Sequence, residues 1–157
     1  MYREALAWLT CPHDPATPLV LEPGAQELMD GAIVAGQVRC PACSARYPII
    51  DGVLDLLGPS GLPTSLAQAV NVFPPAAWAY ERTWRPRALS TLTGEPFGYE
   101  RELPLITGLA APERGGLIVD VACSNGLYAR ALERARRNAP GHVMAIDLAM
   151  PMLRQAR

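Results

Sequence analysis

The sequence predicts an α/β fold: a βαβα segment preceded by a helical lead-in, with a small cysteine-bearing β module at the N-terminus. Three observations carry this. The apolar run Leu117, Ile118, Val119, Asp120, Val121 breaks into a turn of small residues and then an amphipathic pattern. A second strand-like run, His142 to Asp147, follows one helix later. Two cysteine motifs, Cys11-Pro-His-Asp14 and Cys40-Pro-Ala-Cys43, lie within the first 57 residues.

A chain of 157 residues holds one ordinary domain, or a small module plus part of a larger one, and the composition shift along it favours the second. Hydrophobic residues make up 50% and charged residues 18%, at a mean hydropathy of +0.09, as expected of a soluble core-forming protein. A formal charge of -1 offers no basic field, so nucleic acid is an unlikely partner by charge alone. All 14 basic residues are arginine, whose planar head suits bidentate anion contacts. No stretch is apolar for long enough to span a membrane, and the N-terminal "MYREALAWLT" is too short and interrupted for a secretory signal. A cytoplasmic setting is the expectation. In such a reducing compartment clustered cysteines more often hold metal than form disulfides.

In chain order, residues 1–57 form one block: a short helix from Arg3 to Leu9, a cysteine turn, a hairpin and a closing apolar run. Asp51 and Gly52 permit the turn between strands expected at 47–50 and 53–57. "GPSGLPT", 58–64, has the glycine and proline density of a linker. From 65 onward come helical stretches "SLAQAVNV" and "PPAAWAYERTW", and a third around "FGYERELPLITGLA", which Pro104 should kink or begin. Strand 117–121 is β-branched and continuously apolar apart from Asp120, the signature of a buried parallel strand. Helix 126–138 sets Leu127, Ala131 and Leu132 on one face and Arg130, Glu133, Arg134 and Arg137 on the other. Strand 142–147 and a helix from about 150 complete the βαβα pattern.

Two thiolates two residues apart can chelate one ion, so Cys40 and Cys43 make half of a zinc knuckle. The other half is Cys11 with Asp14 at the position of a fourth ligand and His13 as a competing donor. The alternative is that these cysteines are small buried hydrophobes without metal. "LTCPHD…VRCPACSARYPIIDGVLDLL" resembles the zinc-ribbon fold of small methyltransferase activator proteins and of N-terminal extensions of some bacterial methyltransferases. The likeness rests on the cysteine motifs and on Tyr47, Pro48, Ile49, Asp51, Gly52, Val53, Leu56 and Leu57, and it implies zinc on Cys11, Asp14, Cys40 and Cys43. So small a core would gain much from a metal staple.

The turn after strand 117–121 leaves helix N-terminal N–H groups facing a ligand. In a parallel pair, Asp120 and Asp147 both belong to the carboxyl edge, where ligands bind such sheets. Asp147 is equally suited to cap the next helix, and Asp120 to accept from turn amides. "DVACSNG" followed by "AIDLAMPMLRQAR" resembles the first two signature regions of class I S-adenosylmethionine-dependent methyltransferases. The resemblance covers 117–157 and implies a Rossmann-like methyltransferase sheet, with S-adenosyl-L-methionine as cofactor. Asp120 would be among the cofactor-binding residues, with the aminoacyl end on Ala122, Cys123, Ser124, Asn125 and Gly126, the ribose on Asp147, and the adenine flanked by Leu148 and Met152. Of the three family glycine positions, 122, 124 and 126, only Gly126 keeps glycine, and positive φ costs more at Ala122 and Ser124. Cys123 falls at a variable position and reads as a buried small hydrophobe.

The helix with Tyr80, Glu81 and Trp84, and "RPRALSTLTG" after it, resembles the lead-in of methyltransferases acting on quinones and lipids. That likeness implies Tyr80 closing over the cofactor or substrate, and a small-molecule methyl acceptor. No catalytic residue is legible. A nicotinamide-type site would need glycine at 122, 124 and 127 and meets Ala, Ser and Leu. A zinc-ribbon module gripping RNA or a partner protein, or a piece of an rRNA methyltransferase, is the other reading, but only Arg39 and Arg46 stand near the knuckle. Methyltransferases of this class have seven strands. The chain therefore reads as a truncated enzyme, inactive alone, that needs the missing half of its fold or a partner chain.

Overall fold

The computed structural model describes residues 1–58 and 83–156, with positions 69, 73, 75 and 79 between them. The chain divides into two compact units, Met1–Leu62 and Pro63–Arg157, and the architecture is mixed α/β.

The first unit opens with a 3-10 helix, Arg3–Trp8, followed by a pair of short antiparallel strands, β1 (Thr10–Cys11) and β2 (Asp14–Pro18). Five further strands are β3 (Val20–Leu21), β4 (Gln26–Glu27), β5 (Ile33–Arg39), β6 (Arg46–Ile50) and β7 (Val53–Leu54). They form an antiparallel sheet in the order β3-β5-β6-β7, with β4 pairing β5. In β6 the alternation is plain: Tyr47 and Ile49 point into the core while Arg46 and Ile50 do not. In β5 the inward residues Ile33 and Val38 differ in parity. The reason is a bulge, because Glu27 pairs Ile33 while Gln26 pairs Ala35, leaving Val34 as an extra residue that flips the faces. Asp51 (φ 50) and Gly52 (φ 72) form the two-residue hairpin turn between β6 and β7, both left-handed as such turns require. The core is Cys11, Leu19, Ile33, Val38, Cys40, Tyr47 and Ile49.

The second unit contains α1 (Arg85–Thr93), α2 (Tyr99–Ala110), a 3-10 turn (Pro112–Arg114), β8 (Gly116–Val121), α3 (Leu127–Arg136), β9 (Gly141–Ile146) and α4 (Met150–Leu153). β8 and β9 pair in parallel, from Gly116 opposite Gly141 to Val121 opposite Ile146. Two expectations are corrected here. Pro104 lies inside α2, so of the two expectations for it, beginning the helix is not met. Helix also extends over 85–93, with proline in its first turn and left-handed Gly94 as its C-cap. Most of the stretches 65–72 and 74–84 lies outside the described residues.

Helix α3 packs on the sheet face that carries Ile118, Asp120, Val143 and Ala145, since the main-chain N–H of Ala129 reaches the Asp120 carboxylate. The opposite face carries Val119, Val121 and Ile146, all exposed, Val121 to 71%. Among the described residues nothing covers it.

Candidate functional site

Because Val121 stands opposite Ile146, the chain leaves both strands at one level, and the 122–126 turn emerges beside Asp147. Ala122 (φ 59), Ser124 (φ 53) and Gly126 (φ 71) are left-handed, while Cys123 and Asn125 between them are not. Such alternation turns main-chain N–H groups toward one concavity, a nest receptive to anions and partial negative charge. The two non-glycine residues adopt this conformation despite a cost of roughly 1–2 kcal/mol each. Their compensation is local. Ser124 N–H donates to Asp147 Oδ2 at 2.7 Å, Cys123 N–H to the Ile146 carbonyl at 3.0 Å, and Gly126 N–H to the Cys123 carbonyl at 2.8 Å. Arg130 donates to the Asn125 carbonyl, and at 3.4 Å to that of Gln155.

Asp147 Oδ1 also accepts from Ala149 N–H at 2.8 Å, so one carboxylate ties the turn to the entry of α4. Asp120 Oδ2 accepts from Ala129 N–H at 3.0 Å, in the first turn of α3. Burial pushes the Asp120 carboxyl above the usual range, the Ala129 N–H pulls it back, and the charge of Asp147 adds to the rise. Burial, and then the charges of Asp120 and Asp147, raise the Cys123 thiol to about 12, so it is neither nucleophile nor ligand at neutral pH. Asn125 is buried, and its Nδ2 has no hydrogen-bond partner among the described residues. Leu148 is exposed beside Asp147. Met152, by contrast, is buried against the turn, its sulfur 3.5 Å from the Ser124 hydroxyl. Gly126 lies under the chain after α4: a Cβ there would meet Ala156 Cβ at 2.7 Å. Tyr80 lies outside the described residues.

Sequence reading missed a buried polar group behind the turn. Arg85 of α1 pairs with Glu102 of α2, and the Tyr128 hydroxyl of α3 bonds to both. The Arg85 guanidinium also lies over the Tyr128 ring, 5.3 Å from its centroid. Burial, and then the Glu102 bond, raise the Tyr128 hydroxyl to about 12. The only sequence signal was an acid at the inward position of an amphipathic helix, and nothing local shows its partners.

In the first unit the sulfurs of Cys11, Cys40 and Cys43 lie within 4.8 Å of one another, with Cys11 and Cys43 at 3.6 Å. Cys11 and Cys40 are buried and Cys43 is exposed. Burial opposes ionisation of Cys11. Bonds from the Tyr47 hydroxyl, the His13 main chain, Cys43 and the Asp14 main chain outweigh it and bring the thiol to about 7. Asp14 is not brought into this cluster: its Oδ2 accepts from the Thr17 hydroxyl at 2.7 Å. Arg39 and Arg46, the two cations near the knuckle, both pair with Glu22 at 3.5 and 3.2 Å, which leaves little positive charge for phosphate.

The two parallel strands thus bring the left-handed turn and the acid Asp147 side by side at their carboxyl ends. No protein-family model matches the chain. It is similar to two proteins of Arabidopsis thaliana, each described as an uncharacterized chloroplastic methyltransferase. One is 29% identical over 156 residues, covering 96% of this chain and 39% of the relative. The other is 28% identical over 151 residues, covering 90% of this chain and 42% of the relative. The chain thus spans about two fifths of the length of these curated relatives. Both being chloroplastic overturns the expected cytoplasmic setting. That expectation rested on the missing secretory pattern and the lack of a membrane-length apolar run, neither of which separates the cytoplasm from a plastid. Among the described residues no helix is long and apolar enough to cross a membrane.

Proposed function

We propose that residues 65–157 form the cofactor-binding part of a Rossmann-like S-adenosylmethionine-dependent methyltransferase acting on a small quinone- or lipid-like acceptor. We read residues 1–57 as a zinc-ribbon-like module and 58–64 as the linker. The observation that carries this is the Ser124 N–H bond to Asp147, which joins the nest and the acid in one crevice.

The residues present fit the cofactor. The orphaned Asn125 amide at the turn is a donor awaiting an acceptor such as the cofactor's carboxylate, while the main-chain N–H groups of Cys123, Ser124 and Gly126 are spent on the turn's own bonds. Asp147 uses one lone pair on each oxygen for Ser124 and Ala149, which leaves each oxygen a lone pair for a ribose hydroxyl. Leu148 supplies exposed apolar surface for the adenine, while Met152 backs Ser124 from beneath. When bound, S-adenosylmethionine supplies an electrophilic methyl group for in-line displacement. The chain's own part is to bind and orient: Asp147 fixes the ribose, the 122–126 turn with its Asn125 amide fixes the aminoacyl end, and buried Cys123 keeps a small apolar floor. Among the described residues the face of Val119, Val121 and Ile146 is exposed, and further apolar surface packed there would stabilise the strand pair.

Calorimetry with S-adenosylhomocysteine on the 157-residue chain tests the reading. Saturable binding is expected, weakened about tenfold or more in Asp147→Ala, a loss of about 1.4 kcal/mol. Equal binding by both proteins removes the ribose contact. Failure of the parent chain to bind removes the proposal.

A further inference from the structure

The thiol cluster supplies three protein donors, where structural zinc sites are closed by four. An edge of a zinc–thiolate tetrahedron is about 3.8 Å for bonds of about 2.3 Å, and Cys11 and Cys43 already stand 3.6 Å apart. Outer contacts are also in place. Cys43 N–H lies 3.4 Å from Cys40 Sγ, and the buried Tyr47 hydroxyl lies 3.4 Å from Cys11 Sγ. The Asp14 carboxylate is directed to Thr17, and neither it nor the His13 ring joins the cluster. Cys43 is exposed, so the cluster opens to solvent on its side.

From this convergence we infer that Cys11, Cys40 and Cys43 hold a zinc-type divalent ion as a three-thiolate centre whose fourth position takes an exogenous neutral donor. The inference rests on the metal reading of the first unit and departs from the four-ligand set that the zinc-ribbon resemblance implies. Three thiolates on a dication leave one net negative charge, which favours water or an imidazole over another anion. Protein ligands numbering three, with the last vertex left to solvent or substrate, are the pattern of zinc sites that exchange ligands and do more than staple. Loading the site releases the thiol protons, and exchange at the fourth position breaks only the bond to water.

The test uses the reduced 157-residue chain loaded with Co(II), followed by metal analysis and visible absorption during an imidazole titration. One ion per chain is expected, with tetrahedral bands that shift saturably as imidazole replaces water. Asp14→Ala and His13→Ala should bind Co(II) within about twofold of the parent and respond to imidazole alike, while Cys43→Ser binds at least tenfold more weakly. Bands indifferent to imidazole, loss of metal in Asp14→Ala or His13→Ala, or dimerisation on loading would show a closed site and overturn the inference, leaving the metal reading standing. Absence of both Co(II) and Zn(II) binding by the parent removes the metal reading and this inference with it.

Discussion

Ser124 donates its main-chain N–H to Asp147 across the ends of two parallel strands, at 2.7 Å and over 23 positions of sequence. Since Asp147 also accepts from Ala149, its carboxylate has a structural duty beside the ligand contact proposed for it. Asp147→Ala leaves two N–H groups without their acceptor and should cost about 1–3 kcal/mol of stability. Asp147→Asn, which keeps one acceptor oxygen, should cost less. Thermal unfolding of the two variants beside the parent measures the difference, and equal melting temperatures for all three would contradict the bonding described.

Left-handed backbone at Ala122 and Ser124 makes a second prediction with the opposite sign. Ala122→Gly and Ser124→Gly each relieve a conformation that suits glycine, at the expense of more freedom in the unfolded chain. The net gain should be about 0.5–1 kcal/mol apiece. Gly126→Ala should destabilise, because its Cβ meets Ala156 at 2.7 Å as well as an unfavourable φ. Denaturant midpoints give all three values, and destabilisation by both glycine variants would show that the turn is not left-handed there.

Glu102 is only 3% exposed, and Arg85 neutralises it. Arg85→Ala leaves that carboxylate buried with only the Tyr128 hydroxyl and should cost about 3–5 kcal/mol. Tyr128→Phe removes one neutral bond and should cost about 1 kcal/mol. The phenol adds a pH signature. With its folded value raised from 10.0 to about 12, its contribution is complete below pH 10 and fades as pH climbs toward 12. The stability gap between parent and Tyr128→Phe should therefore narrow across that alkaline window, as read by unfolding at a series of pH values.

Asp120 titrates high because it is buried, with Asp147 adding to the effect. A carboxyl raised in the folded state favours that state below its unfolded value and loses the advantage as pH rises through the folded one. Asp120→Asn keeps an acceptor for Ala129 and removes the charge, so it should match or exceed the parent's stability at neutral pH. The gain should vanish in acid, where Asp120 is protonated anyway. A deficit at neutral pH that persists in acid would mean the amide cannot replace the carboxylate at Ala129.

Thiol reactivity separates the four cysteines. With iodoacetamide at neutral pH, Cys43 should label first because it is exposed, and Cys123 last because it is buried with its thiol at about 12. Zinc should protect Cys43. Peptide mass spectrometry reads the order, and early labelling of Cys123 would contradict its burial.

What the sequence made legible follows the range of each interaction. Strands at 116–121 and 141–146 and the helix between them declare themselves through β-branched runs and a 3.6-residue stripe, both local patterns. The cysteine motifs pointed to the thiol cluster because two-residue spacing fixes which sulfurs can meet. Asp14 could not be read so easily. Its place in the motif suggested a ligand, and its rotamer toward Thr17 is set by a neighbour three residues on. The pairing of Arg85 with Glu102 and Tyr128 spans 17 and 43 positions, and only the packing of three helices reveals it.

The side of the β8–β9 pair that is exposed among the described residues bears on how this polypeptide behaves in the tube. Val119, Val121 and Ile146 form a sticky strip, and crowding the sample will drive molecules together through it. Dilute stocks, or a mild detergent micelle over that strip, keep the preparation monodisperse long enough for measurement.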